Sequence, residues 1–153
     1  MRTILFVCTG NTCRSPMAEA IARDLLGKGA IEGVSGRIFV ASAGTHAVDG
    51  SPVSGEASAA LARLGIEHDG ASRHLSRAMI ERADLVLGMT DGHVAVARAL
   101  VEGAPDHAAK IHSMDETGDV EDPIGLGREA YDRLAAQFIE LIPRRIAELL
   151  RPT

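Results

Sequence analysis

A chain of 153 residues, 46% hydrophobic and 24% charged, is long enough to bury a core of its own and too apolar for a disordered segment. A net charge of -5 and a pI near 5.6 exclude the clustered basic surface that duplex nucleic acids and anionic membranes require, and with no Trp, one Tyr and three Phe there is no platform for stacking single-stranded bases. Two cysteines are too few for a disulfide framework, and the apolar stretch Ile4 to Cys8 is too short for a signal-peptide core or a membrane span. The expectation is one domain over residues 1–153, cytoplasmic and reduced, a monomer by default, with neither nucleic acid nor membrane as partner.

In chain order, Thr3 to Val7 is a short continuous apolar run of β-formers, followed by helical spacing at Met17, Ala20, Ile21 and Leu25 across Pro16 to Leu26. A second apolar run, Ile38 to Ala41, precedes turn material from Gly44 to Gly50. Ser51-Pro52 then reads as an N-cap with proline at the first helical position, for a helix to about Leu64. Ser76 can cap a short helix ahead of a third strand at Leu85, Val86 and Leu87, and Asp91 to Val101 is helical again. Ile111 marks a weak fourth strand, and 113–126 is a Gly- and Asp-rich loop. A long helix spans Arg128 to Leu150, with apolar positions at Tyr131, Leu134, Phe138, Leu141, Ile146 and Leu149, and Pro143 should kink or interrupt it. Strands alternating with helices predict an α/β fold: a parallel sheet with right-handed crossovers and helices on both faces.

The segment Val7 to Pro16 links the first strand to the first helix, where an open parallel sheet places its ligand crevice. Each residue alone has a packing explanation, and Cys followed by five residues and Arg is a weak pattern. Their placement together is what points to chemistry. If the loop Cys8, Thr9, Gly10, Asn11, Thr12, Cys13, Arg14, Ser15 curls into the helix start, its amides converge into an anion nest reinforced by the helix dipole. Cys8 at the base of that nest is then a candidate nucleophile, with the loop donors, Ser15 and Arg14 favouring its thiolate. Arg14 supplies a bidentate fork for two phosphoryl oxygens. Gly10 permits a close approach, and Asn11 tolerates the left-handed conformation while its amide ties the loop. Cys13 reads equally as packing or as a redox partner that folds back on Cys8.

Such a nucleophile needs an acid for the leaving atom, and the loop 115–122 offers Asp115, Glu116, Asp119, Glu121 and Asp122. Only Asp122 precedes a proline, which holds its backbone extended and selects it as the candidate. The six histidines, His46, His68, His74, His93, His107 and His112, include no close ligand pair and read as surface or loop residues. No metal and no cofactor is expected.

The string Phe6-Val7-Cys8-Thr9-Gly10-Asn11-Thr12-Cys13-Arg14-Ser15-Pro16-Met17-Ala18-Glu19 resembles the N-terminal signature of the low-molecular-weight protein phosphatases, and Asp122-Pro123 resembles their distal acid loop. Ser42-Ala43-Gly44, Ala83 to Leu87 and Met89-Thr90 also match in order, so the resemblance covers nearly the whole chain. It implies a four-stranded parallel sheet, Cys8 as nucleophile of a phosphocysteine mechanism, Arg14 and the loop amides as phosphate binders, Asp122 as general acid, Ser42 as loop support, and a phosphorylated protein as substrate. A histidine that many members use to support the loop asparagine is replaced here by Gly70 or shifted to His68 or His74.

For the substrate, Thr12 is informative. Tyrosine-specific relatives are typically apolar there, whereas bacterial relatives acting on phosphoarginine resemble this chain in carrying threonine. The mouth segments, Thr45 to Asp49 and Ile124 to Gly127, also lack the aromatic wall of tyrosine-specific members. The expectation leans to phosphoarginine, with phosphotyrosine the alternative. Arsenate reductase, which needs cysteines beyond residue 13, and a non-hydrolytic phosphocarrier, which has no use for Arg14 and Asp122, fit less well.

Overall fold

In the computed structural model, which describes residues 1–150, β1 (Arg2–Cys8) lies inside a parallel sheet between β2 (Ile38–Gly44) and β3 (Leu85–Gly88), with β4 (Ile111–Ser113) on the far side of β3. The sheet order is β2-β1-β3-β4. All pairings are parallel, and the direction in which successive connections add strands reverses at β1, since β2 lies to one side of it and β3 to the other. That is the switch point where an open α/β sheet leaves a crevice beyond its strand ends.

Side-chain alternation along β1 divides the core. Ile4, Phe6 and Cys8 point to one face with α1 (Arg14–Gly27), α2 (Gly55–Arg63) and α6 (Arg128–Leu149); Leu5 and Val7 point to the other with α3 (Arg77–Arg82) and α4 (Asp91–Leu100). A strand buried on both faces reads as an unbroken apolar run, which is why β1 and β3 are the clearest strands in the sequence. Helices cover both faces, and four strands are present, as expected. The last three residues of the expected domain, 151–153, lie outside the described residues.

Two local expectations are corrected. The Ser51-Pro52 helix start fails: Pro52 pairs in a bridge with Ala71, and α2 begins later, where the Ser54 hydroxyl accepts from the Ala57 amide at 3.2 Å. Proline suits an edge pairing as well as a first helical turn, and tertiary pairing decides between them. Between α4 and β4 lies a short α5 (Pro105–Ala108), with proline at its start. Pro143 does not interrupt α6, which runs through it. The carbonyl deprived of its donor is that of Ile139, whose residue is 38% exposed, so water can serve it.

Candidate active site

The loop from Cys8 to Arg14 joins the end of β1 to α1. Asn11 has φ 57, a left-handed conformation that costs asparagine less than most residues and turns the chain back over the strand end. The N-cap of α1 is Cys13, whose side chain makes no capping bond, and no acidic residue occupies the first turn. The helix start is thus left without a carboxylate or a side-chain cap, its amides free to serve an anion. Gly44, opposite Cys8 in the β1–β2 register, is where the loop crosses the sheet edge. A Cβ there would lie 2.4 Å from the Thr9 carbonyl oxygen and 3.0 Å from the Asn11 amide nitrogen, so only glycine allows this crossing.

Cys8 is 3% exposed. Its Sγ accepts from the Asn11 amide at 3.3 Å and lies 2.8 Å from Ser15 Oγ. The Asn11 side chain is fully used: Nδ2 donates to Ser15 Oγ at 2.8 Å and to Ser42 Oγ at 2.9 Å, while Oδ1 accepts from the Arg73 amide at 2.9 Å. Those partners fix the amide orientation and leave the Ser15 proton for Cys8. Ser42 in turn donates to Glu19 Oε1 at 2.7 Å, and Glu19 is paired with Arg23. Ser42 thus links the Asn11 amide to Glu19.

The missing histidine has two structural answers. The Arg73 amide takes the Asn11 oxygen, and His68 sits one shell further out, its Nδ1 3.8 Å from Glu19 Oε2. Gly70 packs on the His68 ring, where a Cβ would come within 2.9 Å of Cε1, and His74 Nδ1 instead faces the Ala47 carbonyl at 3.2 Å.

Arg14, 6% exposed, donates through Nη1 to the Val120 carbonyl at 3.0 Å and turns Nη2 to within 3.7 Å of Asp122 Oδ2. The competing acids have other contacts. Asp115 binds Thr117, Glu116 pairs with Arg144 and Arg145, Asp119 accepts from the Asp91 amide, and exposed Glu121 faces a surface hollow with Arg133. Asp122, with 45% of its side chain exposed and Oδ1 accepting from the Ile124 amide, is the acid the structure brings to Arg14.

Thr12, whose carbonyl accepts from the Ser54 amide at 2.9 Å, places its hydroxyl over Gly10. Cys13 turns instead toward Ser54 Oγ at 3.3 Å and the Tyr131 hydroxyl at 3.6 Å. Burial and the Cys13 contact push Tyr131 above its usual range, so its hydroxyl stays protonated beside the sulfur. Both cysteines are free.

His93 corrects the reading of the histidines as surface or loop residues. It is 6% exposed, and its ring completes the first turn of α4: the Thr90 hydroxyl accepts from the His93 amide, and His93 Nδ1 accepts from the Thr90 amide at 3.1 Å. Nε2 therefore carries the proton and donates to Thr9 Oγ1 at 2.8 Å. The visible signal was Thr90 three residues before a polar side chain, the spacing of a capping box. Burial, then Arg14, with a smaller push from His46, lower His93 from 6.5 to about 4 against the opposing pull of Asp119 and Asp122.

Below the ordinary histidine value the unfolded chain takes up a proton that folded His93 refuses. Folding stability should therefore fall as pH drops from about 6.5 toward 4, by roughly 2 to 3 kcal/mol from this group. Urea unfolding at pH 7 and 4.5 should show a loss that is smaller by that amount in His93→Asn; equal losses in the two proteins would show that His93 titrates normally.

Among the described residues no helix is long and apolar enough to cross a membrane, and no group of three or more His, Cys, Asp and Glu side chains converges on one point. Residues 3–151 match the model of the low molecular weight phosphotyrosine protein phosphatases. A protein-arginine-phosphatase of Geobacillus stearothermophilus is 40% identical over 97% of this chain and 95% of its own length. The Staphylococcus aureus low molecular weight protein-tyrosine-phosphatase PtpB is 35% identical over 91% of this chain and 93% of its own. Among solved structures, a mutant of the YwlE arginine phosphatase with a phosphorylated active-site serine superposes with a TM-score of 0.83 at 32% identity, covering 97% of this chain and 95% of that one. Fold and sequence agree across nearly the whole length, and the chain belongs to the low-molecular-weight protein phosphatase family.

Proposed function

We propose that this protein hydrolyses phosphorylated side chains of proteins through a phosphocysteine formed on Cys8, and that phosphoarginine is its preferred substrate. The observation that carries the chemistry is the convergence of three groups at one strand end. Cys8 Sγ receives Asn11 N–H and faces Ser15 Oγ; Arg14 lies at the close of the same loop; Asp122 stands 3.7 Å from the guanidinium.

The substrate phosphoryl group occupies the amide nest, with two oxygens on the Arg14 fork. The Cys8 thiolate attacks phosphorus as the bond to the leaving nitrogen or oxygen breaks, and the Asp122 carboxyl gives that atom its proton. Asp122, now a carboxylate, takes a proton from water as the water attacks phosphorus. The S–P bond breaks, the thiolate returns and inorganic phosphate leaves. Arg14 and the amides stabilise the charge on the equatorial oxygens in both steps. A phosphocarrier would need no group to activate water, so the Asp122 carboxyl near Arg14 supports hydrolysis over it.

Support for phosphoarginine comes from Thr12 and from where the aromatic residues lie. Phe6, Phe138 and Tyr131 are buried, and exposed Phe39 is at the amino end of β2, remote from the crevice beyond the carboxyl ends. The mouth segments instead present Val48, Ile124 and Leu126, all exposed. No aromatic side chain is available to stack on a phenyl ring, a contact worth about 1 kcal/mol. A hydroxyl at Thr12 can hydrogen-bond a guanidinium, and Asp122, a carboxylate once it has given its proton, can pair with the departing one, whereas a phenyl ring gains from neither.

Comparing kcat/KM on phosphoarginine and phosphotyrosine peptides for the wild type and Thr12→Ile tests this. The substitution should shift the ratio toward phosphotyrosine by about 10- to 100-fold, as expected for one buried polar contact. An unchanged ratio, or a wild type already far better on phosphotyrosine, favours the phosphotyrosine reading, which the relatedness to PtpB keeps in view.

A further inference from the structure

We infer that His93 is a positioning residue for the reaction: held by the first turn of α4, its imidazole fixes Thr9, the residue that follows the nucleophile, and so the opening turn of the phosphate loop. The inference rests on the phosphatase reading of that loop and adds a residue to it.

Thr9 is held from three directions. Its carbonyl oxygen accepts from the His46 amide at 3.0 Å, its backbone lies on the bare Cα of Gly44, and its hydroxyl meets His93 Nε2 at 2.8 Å. The first two contacts fix the backbone on the β2 side. Only His93 reaches it from the β3 side, across the crevice. The ring cannot swing away without breaking the Thr90 amide bond to Nδ1, so one imidazole joins the end of β3 to the end of β1.

The same helix start also fixes the acid loop. The Asp91 amide donates to Asp119 Oδ1 at 2.9 Å, and the Met89 carbonyl accepts from the Val120 amide at 2.8 Å. Val120 is also the partner of Arg14 Nη1. The turn Met89 to His93 is thus a common support for the nucleophile's loop and for the segment bearing Asp122, and their separation is set there. Charged and titratable groups face the ring from every side: Arg14 from α1, Asp119 and Asp122 from the acid loop, and His46 from the loop after β2. A ring that stays uncharged holds Thr9 without adding a second cation beside Arg14.

The variants separate capping from positioning. His93→Asn offers an acceptor to the Thr90 amide but no donor to Thr9. His93→Gln places an amide nitrogen near the position of Nε2, and Thr9→Val removes the other partner while leaving α4 intact. With an aryl phosphate at pH 7, His93→Asn and Thr9→Val should each lower kcat by about 10- to 100-fold, the scale of an ångström-level misplacement, with KM changed by no more than about twofold. Their double variant should lose no more than the worse single, because both break one contact. His93→Gln should recover most of the loss, and the thermal midpoint of Thr9→Val should stay near that of the wild type.

A kcat for Thr9→Val within about twofold of the wild type, or losses that multiply in the double variant, would overturn the role of His93. A wild type with no turnover of aryl phosphate would instead overturn the phosphatase reading, and this inference with it.

Discussion

Cys8→Ser should abolish steady-state turnover while the protein still binds inorganic phosphate or vanadate. The loop is held by the Asn11 network, by Gly44 and by the Arg14 contact with Val120, none of which uses the Cys8 sulfur as its main support. The anion site therefore survives the substitution. Serine fails at both chemical steps: its hydroxyl is not ionised near neutral pH, and a phosphoserine oxygen leaves far less readily than a thiolate when water attacks phosphorus. Rates on an aryl phosphate together with phosphate titration by calorimetry are the measurements. Turnover above a few per cent of the wild type removes Cys8 as nucleophile, and loss of anion binding places the sulfur in the architecture of the loop instead.

Asp122→Asn should slow turnover by about 10²- to 10⁴-fold on substrates with poor leaving groups and much less on activated aryl phosphates. Asparagine keeps the shape of the side chain, including an oxygen for the Ile124 amide, so the loop should remain in place and only the proton is lost. The discriminating quantity is the slope of rate against leaving-group pKa, which should steepen in the variant. An equal loss on every substrate would mean damage to the loop. A steepened slope in Glu121→Gln instead would move the acid by one residue. Asp119 is the poorer rival, since its carboxylate already binds the first amide of α4.

How much of this was readable beforehand depended on whether a signal was local. The strands buried on both faces announce themselves as apolar runs, and Cys8, Asn11, Arg14 and Ser15 lie within eight consecutive residues, so their convergence could be inferred from one strand-loop-helix. Ser42 came through the family resemblance and Asp122 through Pro123 as well; the first contacts Asn11 and the second lies near Arg14. What escaped was set by long-range pairing. The start of α2 moved because Pro52 found Ala71, and no pattern around Ser51 encodes that partner. His93 lies 84 residues from Thr9, and the Arg73 amide lies 62 from Asn11. A backbone amide has no residue type to recognise, so the replacement for the missing histidine could not be named from composition or spacing.

The distances along the chain have a consequence for the order in which the enzyme comes into being. Cys8 is made before every residue that completes its loop: Ser42, Arg73, His93 and finally Val120 and Asp122. Synthesis proceeds at about 5–20 residues per second, so Cys8 waits several seconds at the least for Asp122, its proposed acid. Until residues 85–88 are made β1 has no β3 beside it, and until residue 122 is made the loop lacks its distal carboxylate, so a ribosome-bound chain carries the Cys8 sulfur without its partners. On the proposed mechanism activity waits for the sheet to close, and a chain truncated before residue 120 should be inert however well its first strand and helix pack.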